Sequence, residues 1–369
     1  MAIGGATARE QAYIEAAAVL FTDVETQSFG ARTLAYEAAM AELAQNEPND
    51  AEARIFYALS LIMTAPPTDK SYANQSKAAD ILEPIMATQP DHPGVAHYLV
   101  HSYDYPSRAA SGLDAALRFA AIAPAASHAL HMPAHISHGW ATGRNRLPPI
   151  KRQQRPPKRP LAQVPDRRPA GWTPLHAMDY MMYGYLQTAQ DEAAQQLLEE
   201  IAAHQQVDKA NLGSAYALAA MPARYVLERG AWDEAESIAL HPSEFAWESF
   251  PQAEATQALV KGLGAARTGN IETARQNLDR LNELHDALVN TNQGYWAEQA
   301  VIQIEEVAAW LALAEGQPDE ALAAMRHAVE LESATEKHPV TPGSIVPAYE
   351  LLGEMLLELD EPAEAAGRL

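Results

Sequence analysis

Residues 306–332, EVAAWLALAEGQPDEALAAMRHAVELE, decide the fold class of this chain. Apolar residues recur at helical spacing on both sides of a Gly-Gln-Pro-Asp tetrapeptide at 316–319. Glycine and proline typically end and begin helices, so this tetrapeptide predicts a turn between helices at 306–315 and 320–332. Small residues near the turn, such as Ala312 and Ala321, would let the two helices pack closely. The stretch therefore predicts an antiparallel helix pair.

The same unit recurs along the chain. Helices are predicted at 263–267 and 271–284 around Gly269, and at 225–228 and 232–240 around Gly230. Four more are predicted at 9–21, 31–44, 50–64 and 71–88. A helix pair with a degenerate G-x-x-x-E-A turn resembles a tetratricopeptide repeat (TPR). The expected fold is all-α, an α-solenoid of TPR-like antiparallel helix pairs that form a right-handed superhelix.

Composition excludes several classes of function. The chain has 369 residues and a net charge of −22, which would repel phosphate and argues against nucleic-acid binding. Without cysteine it has no disulfide, thiolate metal site or cysteine nucleophile. No apolar run reaches the roughly 18 residues that a membrane span needs. No signal peptide follows Met1, so a cytoplasmic location is expected, with export as the alternative if a signal peptide preceded Met1. The oligomeric state stays open.

Residues 144–170 differ from the rest of the chain and divide it into two helical regions, 1–143 and 171–369. Nine of the 26 basic residues and six of the 25 prolines lie within 144–168. One interpretation is a basic, polyproline-like linker that binds an acidic partner or nucleic acid. The other is a pair of compensating frameshifts near residues 143 and 170. When residues 148–160 are back-translated and the codons are read in a frame shifted by two bases, they permit an alanine-rich sequence with high helix propensity. This result favours the frameshift interpretation.

The histidines are the main candidates for functional residues in this sequence, because seven of the 13 cluster between residues 92 and 138. His97 and His101 are four residues apart and share a helix face, with Asp104 on the same side. His131 and His135 have the same spacing, although Pro133 would kink or start their helix. The candidate ligand-binding groove comprises His97, Tyr98, His101, Tyr103, Asp104, His128, His131, His135, His176, Asp179, Tyr180 and Arg224.

Three interpretations of the histidines stay open. They are packing residues between helices, ligands of a metal ion, or the lining of a metal-free pocket for a small or peptide ligand. The metal interpretation uses His97, His101, His131 and His135, with Asp104 or Asp179 as a further ligand or base, and suits zinc or iron. The H-x-x-x-H spacing alone has low specificity. The chain lacks H-E-x-x-H, and with it the glutamate base of that metalloprotease motif.

Several sequence blocks carry a resemblance to a known family. They are HPGVAHYLVHSYDYP (92–106), HALHMPAHI (128–136), HAMDY (176–180), PARY (222–225), ERGAW (228–232) and KHPVTPG (337–343). Together they resemble a group of bacterial tetratricopeptide-repeat proteins of uncharacterised function. The resemblance implies a helical-repeat fold but no activity, cofactor or catalytic residue. Members of the group usually extend beyond both ends of this chain, so the chain is expected to be a fragment. In these proteins the sequence after the position of Gly143 resembles the helix that the shifted reading frame restores.

The function expected from the sequence is a non-enzymatic scaffold, without a cofactor, that holds a peptide or protein in its concave groove. The alternative is a metal-binding or metal-dependent hydrolase-like protein that uses the histidine cluster. Two local expectations accompany this assignment. Loop 337–343 should close a repeat stack, and Arg224 should pair with Glu228 one helical turn away.

Overall fold

The computed structural model describes residue 5 and residues 7–124, 126–142, 172–203, 207 and 210–366. These residues are predominantly helical and contain no β-strand, so the predicted all-α fold class is confirmed. The chain divides into two compact units: unit 1 spans residues 1–156 and unit 2 spans residues 157–369. The basic segment 144–170 lies outside the described residues, and both interpretations of it stay predictions.

The described part of unit 1 consists of seven helices, each of which packs against its neighbours in the chain. They are α1 Ala8–Ala18, α2 Phe29–Asn46, α3 Ala51–Thr64, α4 Ala73–Thr88, α5 Pro93–Tyr103, α6 Ala109–Ile122 and α7 Ser127–Thr142. A helix predicted to start at residue 50 starts at Ala51, because the Asp50 side chain caps it by accepting from the Glu52 backbone N–H. Helices α3 to α7 share one core, in which Leu82 and Met132 are fully buried.

The described part of unit 2 adds ten helices. They are α8 Trp172–Leu186, α9 Asp191–Ala202, α10 Leu212–Glu228, α11 Trp232–Ala235, α12 Pro251–Thr268, α13 Ile271–Asn290, α14 Gly294–Ala314, α15 Pro318–Ala334, α16 Ala348–Glu358 and α17 Pro362–Ala365. One core lies among α8, α9 and α10, and a larger one extends from α10 to α17. Trp310 of α14 is buried in the larger core, as expected for an inter-helix tryptophan.

The turns of two of the predicted helix pairs have the predicted form. Gly269 ends α12 with φ +82°, and Gly316 follows α14 with φ +79°. Both values lie in the left-handed region that glycine adopts without the steric penalty of a Cβ atom. Helix α12 packs against α13, and α14 packs against α15. The sequence therefore predicted the pairing and the turns correctly, while α12 and α14 begin 12 residues before the predicted starts at 263 and 306.

The second helix of the third predicted pair is shorter than predicted. The helix expected at 232–240 ends at Ala235, and side chains bond to carbonyls near and beyond its end. The Ser237 hydroxyl donates to the Glu234 carbonyl, and the Gln257 amide donates to the Ile238 carbonyl. Pro242 prevents the helix from resuming directly.

Among the residues with described positions, none of the helices combines the length and apolar character that crossing a membrane requires.

Candidate functional site

Helix α5 presents the first two histidines of the candidate site. Pro93 occupies its first turn, and the His92 side chain caps it by accepting from the Val95 backbone N–H. The opposite ring nitrogen of His92 lies 2.8 Å from a Glu52 carboxylate oxygen. This cap fixes the start of α5 and therefore the direction in which His97 and His101 project, one turn apart.

Helix α7 presents three further histidines on one face. It begins at Ser127 and contains Pro133 in its interior, so the proline does not start the helix between the histidines. His128, His131 and His135 occupy positions i, i+3 and i+7, which lie on the same side of an α-helix. Helix α7 packs against α5 and α6. Two histidine-bearing faces therefore meet in unit 1.

The Nε2 atoms of three histidines converge where α5 faces the start of α7. His97 Nε2 lies 3.0 Å from His101 Nε2 and 2.8 Å from His128 Nε2. One potential ligand atom from each of the three residues lies within 4.8 Å of the other two. All three residues are half-buried. The Phe119 ring stacks on the His97 ring at 4.9 Å between centroids and an interplanar angle of 12°, which holds that imidazole in place.

The three imidazoles are held in their neutral form. Burial lowers the pKa of His97 to about 4, with a smaller contribution from His128. Burial also lowers the pKa of His128 and places the pKa of His101 well below its usual range, with His97 adding to the shift. Neutral imidazole is the form that ligates a metal. The group therefore has both the atoms and the protonation state of a three-histidine metal site.

A second, more buried group lies deeper between the same helices. Asp104 is the C-cap residue of α5, and its carboxylate accepts from His135 Nδ1 at 2.8 Å. His135 is only 1% exposed, and its Nε2 lies 3.3 Å from His131 Nε2. A carboxylate on one ring nitrogen is the usual way to orient the other nitrogen of a metal-binding histidine. His101, Asp104 and His135 also have ligand atoms within 4.8 Å of one another.

The two tyrosines of the predicted groove have different surroundings in unit 1. The Tyr98 ring lies 5.3 Å from the His97 ring and borders the histidine cluster. The Tyr103 hydroxyl instead donates to the Glu83 carboxylate at 2.5 Å. Burial, followed by that carboxylate, raises the pKa of Tyr103. Tyr103 therefore contributes to the packing of α5 on α4.

The other four predicted site residues form a network in unit 2 that holds loop 337–343. Arg224 Nε donates to Asp179 Oδ1 at 3.0 Å, and its two Nη atoms donate to the Thr341 hydroxyl and to the carbonyls of Gly343 and Ser344. His176 Nδ1 donates to the Val340 carbonyl, and the Tyr180 hydroxyl donates to the Thr341 carbonyl.

This network has the character of a structural clamp. The Arg224 side chain is 3% exposed and the Asp179 side chain is fully buried. Burial raises the pKa of Asp179, and Arg224 offsets part of that rise. The expected pairing of Arg224 with Glu228 is replaced by the pairing with Asp179, which lies on a packed neighbouring helix. Asp179 is thereby engaged as an ion-pair partner, and loop 337–343 is fastened to α8 and α10.

Sequence reasoning missed two residues of functional interest. His128 was assigned to the groove but not to the metal set, although its spacing from His131 and His135 places all three on one face. Glu306 was treated as an ordinary helix residue. It lies four residues before Trp310 on the apolar face of α14 and is only 2% exposed. The sequence pattern that could have identified Glu306 is an acidic residue at the same helical spacing as the buried apolar residues.

Glu306 should make the stability of unit 2 depend on pH. Burial, followed by repulsion from Glu332, raises the pKa of Glu306 well above its usual range. A carboxyl whose pKa is higher in the folded state stabilises the fold below its unfolded pKa of about 4.3, and this stabilisation is lost as pH rises through the folded value. We expect Glu306→Gln to match the parent in melting temperature near pH 4.5 and to exceed it increasingly toward pH 8.

Thermal unfolding at both pH values measures this difference. Glu305→Gln is the matched control, because Glu305 is partly exposed and pairs with His327 at 3.2 Å. Such a pair contributes little, so this replacement should change the melting temperature only slightly at either pH. A melting-temperature difference between Glu306→Gln and the parent that is constant from pH 4.5 to 8 would contradict the assignment.

Comparisons with protein-family models and with curated proteins find no match to this chain. The described residues define an all-helical protein with a half-buried histidine cluster.

Proposed function

We propose that unit 1 binds a divalent transition metal ion, with zinc as the best fit, through Nε2 of His97, His101 and His128. The observation that carries this proposal is the convergence of three neutral imidazole nitrogens from two helices, with neighbouring nitrogens 2.8 and 3.0 Å apart. Tetrahedral zinc with Zn–N distances of about 2.0–2.1 Å separates its ligand nitrogens by about 3.3 Å. Small side-chain shifts would therefore open the cluster enough to admit the ion.

Zinc suits these ligands better than iron does. Iron(II) sites of the two-histidine, one-carboxylate kind would use His101, Asp104 and His135, whose ligand atoms are also close together. In that group the Asp104 carboxylate accepts a hydrogen bond from His135 Nδ1, so it serves more directly to orient His135 than to hold a metal. Iron remains the alternative ion of this proposal.

The proposal is limited to metal binding. Three protein ligands leave a fourth tetrahedral position for water, and zinc-bound water is acidic enough to act as a nucleophile in hydrolases. Hydrolysis would also require a general base near that water. One described candidate, Asp104, already accepts a hydrogen bond from His135 at 2.8 Å.

The second candidate function is a repeat scaffold for a peptide or protein. It is favoured by the helix pairs α12–α13 and α14–α15, which turn at left-handed glycines as TPR units do. TPR-like pairing, the right-handed superhelix and membership of the bacterial group named above are parts of this proposal. The two candidates differ in what they expect of the histidines. A scaffold needs them for packing only, whereas a metal protein loses its ion without them.

Zinc should raise the melting temperature of the chelator-treated protein. An ion that binds only the folded state stabilises it by about 2.7 kcal/mol when its free concentration is about 100 times the dissociation constant. We expect His128→Ala to lose most of this zinc-dependent rise. His285→Ala, which removes a partly exposed histidine of α13, should keep it. The proposal fails if zinc leaves the parent's melting temperature unchanged or raises that of His128→Ala equally.

A further inference from the structure

A small cavity in unit 2 is independent of the histidine cluster and of the proposed metal. It has a volume of about 90 Å³ and is bordered by α10, α12, α14, α15 and the segment that follows α15. The residues that matter to its chemistry are Tyr216, Gln252, Tyr295, Trp296, Gln303 and Glu306. A dry cavity of about 150 Å³ lodges a benzene molecule. This cavity therefore suits a head group of about four heavy atoms rather than a whole peptide.

Hydrogen-bond acceptors dominate the interior of the cavity. Glu306 is 2% exposed and lines the cavity, and its carboxyl makes no hydrogen bond or ion pair with any described residue. Gln252 is 5% exposed, and its side-chain oxygen has no described hydrogen-bond partner. The side-chain oxygen of Gln303 is buried and equally without one. The side-chain nitrogen of Gln299, which also borders the cavity, is a buried donor without a described partner. Buried polar atoms without partners are rare and costly, and the three acceptor side chains outnumber this one donor, so together they indicate a missing donor.

The walls of the cavity also favour a cation. The Trp296 ring lies 5.4 Å from the Tyr216 ring and 5.0 Å from the Tyr295 ring, so three aromatic side chains border the same space. The faces of such rings attract cations. Glu332 and Glu336 line the cavity as well, against the single basic side chain of Lys337. The local charge is therefore acidic, which disfavours an anionic ligand.

We propose that this cavity binds the head group of a small organic cation, an alkylguanidinium or alkylammonium ion. Its N–H groups would donate to the Glu306 carboxylate and to the side-chain oxygens of Gln252 and Gln303, while its flat or rounded apolar surface packs on Trp296. A guanidinium fits best, because it offers several donors in one plane. A bare divalent metal ion fits less well, because the neighbouring Glu332 carboxylate already accepts from the Ser344 hydroxyl and the Ala348 backbone N–H.

Titration of the full-length, chelator-treated protein with methylguanidinium chloride tests this site by calorimetry or NMR. Methylurea, which has a similar shape but no charge, is the matched ligand. We expect saturable binding of methylguanidinium at least tenfold tighter than that of methylurea. Glu306→Gln should weaken methylguanidinium binding at least tenfold, and Gln252→Met should weaken it to a smaller extent. Glu305→Gln, on the neighbouring position outside the cavity, should change it less than twofold.

Each outcome decides the proposal. Thermal unfolding first shows whether each variant is folded at the temperature of the titration. If Glu306→Gln unfolds, the comparison of methylguanidinium with methylurea on the parent and on Gln252→Met still decides. Equal affinity for the charged and neutral ligands, or no saturable binding of methylguanidinium in the millimolar range, overturns the proposal.

Discussion

Replacing Arg224 by methionine should cost unit 2 about 3–5 kcal/mol of unfolding free energy. The substitution keeps an unbranched side chain but leaves the buried Asp179 carboxylate without its counter-ion, and removal of one partner of a buried ion pair has this magnitude. It also deprives the Thr341 hydroxyl and the carbonyls of Gly343 and Ser344 of their donors. For a unit of this size the loss corresponds to a fall in melting temperature of roughly 10 °C.

Chemical unfolding of Arg224→Met and of Arg326→Met measures this effect. Arg326 is the matched control, because it pairs with Glu364 at 3.2 Å but is half-exposed, and such pairs contribute about 0–1 kcal/mol. Restoring charge balance should recover part of the loss, so the double variant Arg224→Met/Asp179→Leu should be more stable than Arg224→Met alone. Equal stabilities of Arg224→Met and Arg326→Met would show that the clamp on loop 337–343 does not stabilise unit 2.

Replacing His97 and His101 together by alanine should lower the affinity for zinc by more than about 100-fold. Loss of an outer-shell partner alone costs metal sites roughly 10–100-fold, and this variant removes two of the three proposed ligands. Competition with a chromogenic chelator measures the affinity. The protein with zinc removed should remain folded, because both residues are half-buried and the core of unit 1 is formed by other side chains.

The matched control is His285→Ala/His327→Ala, which also removes two histidines but from partly exposed positions of unit 2. This variant should bind zinc as the parent does. If His97→Ala/His101→Ala kept the parent's zinc affinity and showed only a loss of stability, the histidines would serve packing, as the scaffold hypothesis requires.

The sequence predicted those parts of the fold that are determined by residues close together in the chain. The turns at Gly269 and Gly316 are local features, and each appears where it was predicted; the helix predicted to start at residue 50 starts one residue later because Asp50 is its cap. The helix predicted at 232–240 ends at Ala235, and Pro242, which has no N–H to donate to the Ile238 carbonyl, was a local signal against its continuation; Gln257 of α12 donates to that carbonyl instead. Hydrophobic periodicity contains no information about that contact.

The sequence likewise predicted those contacts of the candidate site that lie along one helix, but not the contacts between helices. Spacing alone placed His97 with His101 and His131 with His135, since i and i+4 share a helix face. The meeting of His97 with His128 depends on how α7 packs against α5, which the chain order does not specify. The pairing of Arg224 with Asp179 joins residues 45 positions apart, and sequence reasoning favoured the nearer Glu228 instead.

Elemental analysis of the purified protein, prepared without chelator, tests the central claim most directly. The proposed site predicts close to one zinc ion, or alternatively one iron ion, per chain in the parent, and almost none in His97→Ala/His101→Ala purified in parallel. A well-folded parent that contains no stoichiometric transition metal, and takes up none when zinc is added, would contradict the claim.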